Sequence, residues 1–264
     1  MQAKDHETSR EPGNMGPVIL TNTGGLSQFH PNRSQTPDIQ PWSEAPTPRE
    51  SVNLGPVDTR TGLRTLQLFG GAITGCLPAT FQDISLVREV PDNQEVFVEE
   101  GTDISVMVEI LESVAEEEMA AVIESAGFGV GGLATYLFAD LAESNESEHH
   151  TVLYSNENAG PEIFHHPALR EYPRAVLVGE QRVAKFNSDV EDTIRVYLAC
   201  LRLPSLQTDI LITANVPPQQ QDGGSETGLG DSCFIQGSSF SKPGANAIQA
   251  MLQSFEIKDW SLFC

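Results

Sequence analysis

Apolar positions from about Thr65 onward fall into short runs, and their spacing alternates between the two-residue period of strands and the three-to-four-residue period of helices. Leu66 to Phe69, Gly70-Gly71 and Ala72 to Leu77 predict two short strands about a glycine turn, ended by Pro78. The stretch VPDNQEVFVEEG, residues 90–101, predicts a third strand, with Asp92, Glu95, Glu99 and Glu100 crowding its apolar positions. Ile104 to Glu112 is apolar and β-branched enough for a fourth, although its length leaves a helix open.

The pattern then changes period. Ser113-Val-Ala-Glu116 matches a capping box, and Met119, Val122 and Ile123 recur at helical spacing behind it, predicting a helix over about 114–125 that stops by Gly127. Leu133, Leu137, Phe138 and Leu141 share one helical face, which predicts a second helix. Thr151 to Tyr154 and Ala175 to Val178 read as strands, with Gly179-Glu180 turning the latter towards Gln181 to Ala184. In Thr193 to Val216, two β-rich runs flank Leu203-Pro204-Ser205-Leu206-Gln207 and predict an antiparallel pair. Pro243 followed by Ala247, Ile248, Met251, Leu252 and Phe255 predicts a terminal helix over about 244–255, with an extended piece to Phe263.

Antiparallel strands without regular βαβ alternation place the chain in the α+β class: one antiparallel sheet sandwiched by helices, in one domain over residues 65–264. The flanking composition differs. Residues 1–64 hold eight of the seventeen prolines and no apolar run longer than Val18-Ile19-Leu20, too little buried surface to offset the entropy of ordering, so a disordered tail is expected. Residues 217–243, rich in Gln, Gly and Ser, are expected to be a flexible loop.

Charge sharpens this outline. The formal net charge is -22, and residues 65–264 carry nine basic against thirty acidic side chains. Between Arg88 and Arg170 there are eighteen Asp and Glu and no Lys or Arg. Such a surface repels nucleic acid and anionic lipid and attracts a basic protein partner, unless it is simply a solvated face that keeps the chain soluble. No segment is apolar for long enough to span a membrane.

Motifs for chemistry are sparse. Cys76, Cys200, Cys233 and Cys264 form no CxxC pair, and Cys76 and Cys200 lie in apolar runs as expected of buried thiols in a reducing, intracellular compartment. Gly127-Phe-Gly129-Val-Gly131-Gly132 fits GxGxxG, but a helix precedes it where a nucleotide-binding turn needs a strand, so a helix-to-helix connector is the reading. His149-His150 and His165-His166 read as loop histidines, since adjacent side chains diverge and nothing completes a metal shell. There is no GxSxG elbow and no phosphate-binding GxxxxGK[ST] loop. Neither an enzyme nor a cofactor is expected; acid-base work by a carboxylate pair would need a deep cleft.

Several separated stretches, in order, carry a resemblance. They are Leu68 to Ile73, Leu86 to Phe97, Val106 to Glu112, Leu201-Arg202-Leu203-Pro204 with Gln207 to Ile212, and Trp260-Ser261-Leu262-Phe263. Together they resemble the Ran guanine nucleotide release factor family, also called the Mog family, of small nuclear-transport regulators. The resemblance implies a sandwich similar to the PsbP fold and no covalent catalysis. It implies binding to the small GTPase Ran, release of its nucleotide, and action between nucleus and cytoplasm. A second role, trafficking of a membrane protein such as a voltage-gated sodium channel, is known for animal members and is the alternative reading here. A monomer is expected. The 1–64 tail and extra residues at 113–132 depart from the family pattern, and 142–172 matches it poorly.

The expected docking surface is an acidic face built from Asp92, Glu95, Glu99, Glu109 and Glu112. The family's acidic pair falls on Glu109 and Glu112. In a regular strand these two, three apart, would face opposite ways, so one must lie at the fraying end or a bulge. Reversing both charges is expected to abolish Ran binding with little change in melting.

Overall fold

The computed structural model describes residues 53–184, 191–218 and 243–263. The expected disorder of residues 1–52 and the expected loop at 219–242 lie outside the described residues.

Strand β1 (Asn53–Asp58), β2 (Leu63–Leu68) and β3 (Ile73–Pro78) form an antiparallel meander, joined at its far edge by the short β11 (Glu256–Ile257). A larger antiparallel sheet holds β4 (Phe81–Asp83), β5 (Gln94–Glu99), β6 (Ser105–Glu112), β7 (His150–Asn156), β8 (Arg174–Ala184), β9 (Glu191–Leu203) and β10 (Thr208–Val216). Its spatial order is β4-β5-β6-β10-β9-β8-β7. The expectation of a single sheet is thereby corrected to two. Order also begins earlier than Thr65: β1 carries Gly55 and Pro56, residues that argue against a strand, but it is an edge strand whose register shifts between Leu54 and Val57. Proline is tolerated there because its missing N–H would have pointed to solvent or fallen in a bulge.

Both faces of the large sheet are covered, and its central strands are largely buried for that reason. All nine residues of β10 are buried. On one face Val106, Val108, Phe97, Ile210, Ile212, Ala199 and Leu201 meet the helix α3 (Pro243–Ser254) and, beyond it, Leu66, Leu68 and Ile73 of the small sheet. On the other face Leu177, Leu198, Cys200 and Leu211 meet α1 (Glu116–Ser125) and α2 (Leu133–Ser144). The stretch whose length left a helix open thus resolves as a strand, over Ser105–Glu112.

Three local expectations are revised. β8 runs unbroken through Gly179; that glycine marks a close approach, since a Cβ there would run into the ring of Phe138 on α2. Ser113 does not cap α1: its backbone N–H continues the β6 pairing by donating to the Gln207 carbonyl, and Ala115 stands at the helix start without a side-chain cap. Glu116, Glu117 and Glu118 fill the first turn instead, where the helix dipole favours negative charge. Cys200 is buried as expected, whereas Cys76 is only half-buried.

The β9–β10 hairpin closes through Pro204–Leu206 and a left-handed Gln207 (φ 50°). Just beyond the turn, Arg202 and Asp209 are direct cross-strand partners. Arg202 Nε donates to Asp209 Oδ1 at 2.8 Å and its Nη2 to Oδ2 at 2.7 Å. The same guanidinium touches Met119 Sδ of α1 at 3.7 Å, so one two-pronged ion pair ties the hairpin to the acidic helix.

Candidate functional site

β5 and β6 run antiparallel with Gln94 opposite Glu109, and the Ile110 N–H donates to the Asn93 carbonyl just before the strand. This register brings Asp92, before β5, alongside the end of β6 that carries Glu112. The chain then leads through Ser113 into α1. Asp92, Glu112, Glu116, Glu117 and Glu118 are all exposed at this end of the sheet. Arg88 lies on the loop before β5, and the guanidinium of Arg202 is committed to Asp209.

The five expected docking carboxylates do not share one face. Glu99 sits at the opposite end of β5, about 17 Å along the strand from Gln94. Its carboxylate accepts from Thr80 Oγ1 at 2.8 Å and Thr102 Oγ1 at 2.7 Å, fastening the turn between β5 and β6 to β4. Glu95 is 9% exposed and turned towards the small sheet, where Oε1 accepts the Phe69 N–H at 2.7 Å. Phe69 and Gly70 both have positive φ, so Glu95 anchors a tight turn in a conformation that needs holding. Asp92 and Glu112 alone of the five are exposed together at the α1 end.

Glu109 is 1% exposed and lies on the face of β6 that α1 and α2 cover, while Glu112 faces the other way at the strand's exposed end. Its Oε1 accepts from Gln94 Nε2 at 2.7 Å and Asn93 Nδ2 at 3.4 Å; Oε2 is buried with no hydrogen-bond partner. Burial pushes this carboxyl up from the ordinary 4.5 to about 7, with the Gln94 bond opposing and Asp140 of α2 adding to the rise. Glu109 therefore supports the site from beneath by holding Asn93 and Gln94. The expectation that Glu109→Lys would leave melting little changed does not survive this burial, because a lysine there would be an unpaired charge in the sheet.

The sign of its pH dependence follows. The unfolded chain releases this proton around pH 4.5 and the folded chain around 7, so the stability it contributes is full below 4.5 and lost as pH rises through 7. Glu109→Gln is expected to remove this dependence. Measured by urea unfolding between pH 5 and 8, wild type should lose about 3 kcal/mol relative to the variant.

Sequence reading missed the acids on the helices that complete this end. Asp140, Glu118 and the Arg202–Asp209 pair all act electrostatically on Tyr136 of α2, whose hydroxyl is pushed up to about 12, mainly by burial. The run Glu116 to Glu118 was visible as charge, but its position beside Glu112 depends on the turn after β6.

The GxGxxG stretch does connect α1 to α2, and the α2 amino terminus it leads into does hold an anion, supplied from within the chain. Glu157 Oε2 accepts the Ala134 N–H at 2.9 Å, and Oε1 accepts the Thr135 N–H at 3.1 Å and its hydroxyl at 2.7 Å. A phosphate would have to displace that carboxylate. Glu157→Ala is expected to lower stability by about 1–2 kcal/mol, read as a shift in the urea midpoint at unchanged slope. Of the histidines, His149 is exposed, whereas His150 opens β7 and packs against Phe128 with ring centroids 5.2 Å apart.

A cavity of about 390 Å³ opens near β7 and β8, lined by His149, Thr151, Glu180, Gln181, Arg182 and Thr193. Among the described lining residues the one carboxylate is Glu180, and it is paired with Arg195 at 2.6 Å.

Comparison with known proteins agrees with this architecture. Residues 66–217 match the family described as Ran-interacting Mog1 protein. The Ran guanine nucleotide release factor of Homo sapiens is 38% identical over 157 residues, covering 59% of this chain and 76% of that protein. The nuclear import protein mog1 of Schizosaccharomyces pombe is 30% identical over 156 residues, covering 58% of this chain and 76% of its own. A solved structure of the Saccharomyces cerevisiae Ran-binding protein Mog1p superposes with a TM-score of 0.52 at 25% identity, covering 76% of this chain and 98% of that one.

Proposed function

The chain belongs to the Ran-interacting Mog1 family, and from that premise we propose that it binds the small GTPase Ran through the acidic end of its large sheet and promotes release of Ran's guanine nucleotide in nuclear import. The observation that carries the reading is the convergence of exposed Asp92, Glu112 and Glu116 to Glu118 at the end of β6 and the start of α1. The family match and the relatives' names support Ran as the partner and nuclear import as the setting, with action in nucleus and cytoplasm.

The physical route is competition for positive charge. A small GTPase cradles its nucleotide's phosphates with backbone amides, a lysine and Mg²⁺, and that surface is cationic once phosphate leaves. Carboxylates on a rigid sheet end complement it without being consumed. A protein that prefers the emptied GTPase to the loaded one lowers nucleotide affinity by that same preference, because the two binding equilibria are linked. Glu109, Asn93 and Gln94 hold the loop that presents Asp92, and the Arg202–Asp209 pair holds the helix that presents Glu116 to Glu118.

Affinities for nucleotide-free and nucleotide-loaded Ran, measured by calorimetry at several salt concentrations, test this reading. Tighter binding to the empty form, weakening as salt rises, is expected. Equal affinity for the two forms would remove the basis for nucleotide release.

A further inference from the structure

Between β4 and β5 the chain makes a bracket whose shape exposes two adjacent apolar side chains. Asp83 Oδ1 accepts the Ser85 N–H at 2.8 Å, and the Ile84 carbonyl accepts both the Val87 N–H at 2.9 Å and the Arg88 N–H at 3.1 Å. These bonds fold residues 83–88 into a tight turn. The bracket's two feet are apolar and planted: Ile84 and Val90 pack on Val96 of β5 and Met107 of β6, a cluster separate from the two main cores. With both feet held down, the tip is held up. Leu86 is 64% exposed and Val87 80%.

Isolated exposed apolar residues are ordinary, but an adjacent pair on a turn braced by hydrogen bonds on one side and apolar packing on the other is not. Among the described residues, the other exposed large apolar side chains, Leu54, Val57, Val130 and Leu153, do not sit next to one another in sequence, and of them only Val130 is as open as this pair. The bracket's place is also specific. Val96 and Met107 are each two residues along their strands from Gln94 and Glu109, on the same sheet face. After Val90 the bracket passes into Pro91, whose carbonyl accepts the Gln94 N–H at 3.0 Å, and into Asp92 of the acidic end. The apolar tip and the carboxylates are consecutive features of one loop.

We propose that Leu86 and Val87 form an apolar anchor that seats in a hydrophobic depression on the same GTPase partner, beside the cationic surface met by the acidic end. This rests on the Ran-binding reading and adds a second kind of contact to it. Charge alone gives fast encounter and salt sensitivity but little residence, because exposed ion pairs are weak. Durable interfaces place well-packed apolar anchors inside a polar rim. Here Asp92 lies on one side of the tip, Arg88 and Glu89 follow it directly with offsetting charges, and the apolar pair supplies what the rim lacks.

The test uses the full chain with Leu86→Ser and Val87→Ser combined, against nucleotide-free Ran, with binding kinetics measured across a salt series. The expected result is roughly thirtyfold weaker binding, carried by faster dissociation, with the salt dependence and the melting temperature unchanged. Wild-type affinity retained by the variant overturns the anchor alone. A wild-type chain that fails to bind Ran overturns the parent reading and the anchor with it. If sedimentation shows the wild type self-associating and the variant not, the tip is an interface between copies of this chain and the proposal is wrong.

Discussion

Arg202→Met is expected to destabilise the protein by about 3–5 kcal/mol, lowering the melting temperature by roughly 10 °C. Asp209 is 1% exposed, and its carboxylate receives both prongs of the Arg202 guanidinium. Removing the arginine leaves a negative charge buried in the β9–β10 hairpin with nothing to offset its lost hydration. The loss also frees α1, because the same guanidinium contacts Met119. A second substitution separates charge from packing: Arg202→Met combined with Asp209→Leu should recover most of the stability, since a buried ion pair gives little net advantage over an apolar pair of similar volume. Calorimetric melting of the two variants and wild type checks both statements. Equal destabilisation by the single and double changes would show that packing rather than charge fixes the hairpin.

The second large effect concerns binding. Glu112→Lys with Glu117→Lys is expected to weaken association with nucleotide-free Ran by roughly a hundredfold at low salt, about tenfold for each reversal, and to flatten the salt dependence. Both positions are exposed, and the only structural cost is a lysine in the first turn of α1, less than about 1 kcal/mol. This pair replaces reversal at Glu109, where lost binding would be confounded with unfolding. Surface plasmon resonance on wild type and variant, with melting curves beside it, gives both numbers.

What could be read from the sequence depended on how local its cause was. The hairpin around Leu203 to Gln207 was legible because β-branched runs and a proline turn are local signals, and α2 and α3 were legible through their apolar stripes. Gly179 misled because a glycine in a strand looks the same in sequence whether it turns the chain or admits a ring from another element; only Phe138, forty-one residues earlier, tells them apart. β1 was hidden by Gly55 and Pro56, whose tolerance depends on being at an edge. The second sheet could not be foreseen because α3, which it packs against, comes from the far end of the chain.

The site was legible in charge and illegible in depth. Period two separates Glu109 from Glu112, but it does not say which faces a helix, and Glu109 lies inward because α2 covers that side of the sheet. Glu95 and Glu99 look like docking residues in sequence and serve instead as hydrogen-bond acceptors for a strained turn and two threonines. In the same way Glu157 fills the helix terminus behind the glycine-rich connector, a partnership across twenty-two residues that no motif announces.

Release of a fluorescent guanine nucleotide from loaded Ran, followed in time with wild type, with the Glu112→Lys/Glu117→Lys variant and with no addition, bears most directly on the central claim. The account predicts faster release with wild type, a rate near the unassisted one with the variant, and partial loss of the wild-type effect at high salt. Acceleration by the variant equal to that of wild type, or none by wild type, would contradict it.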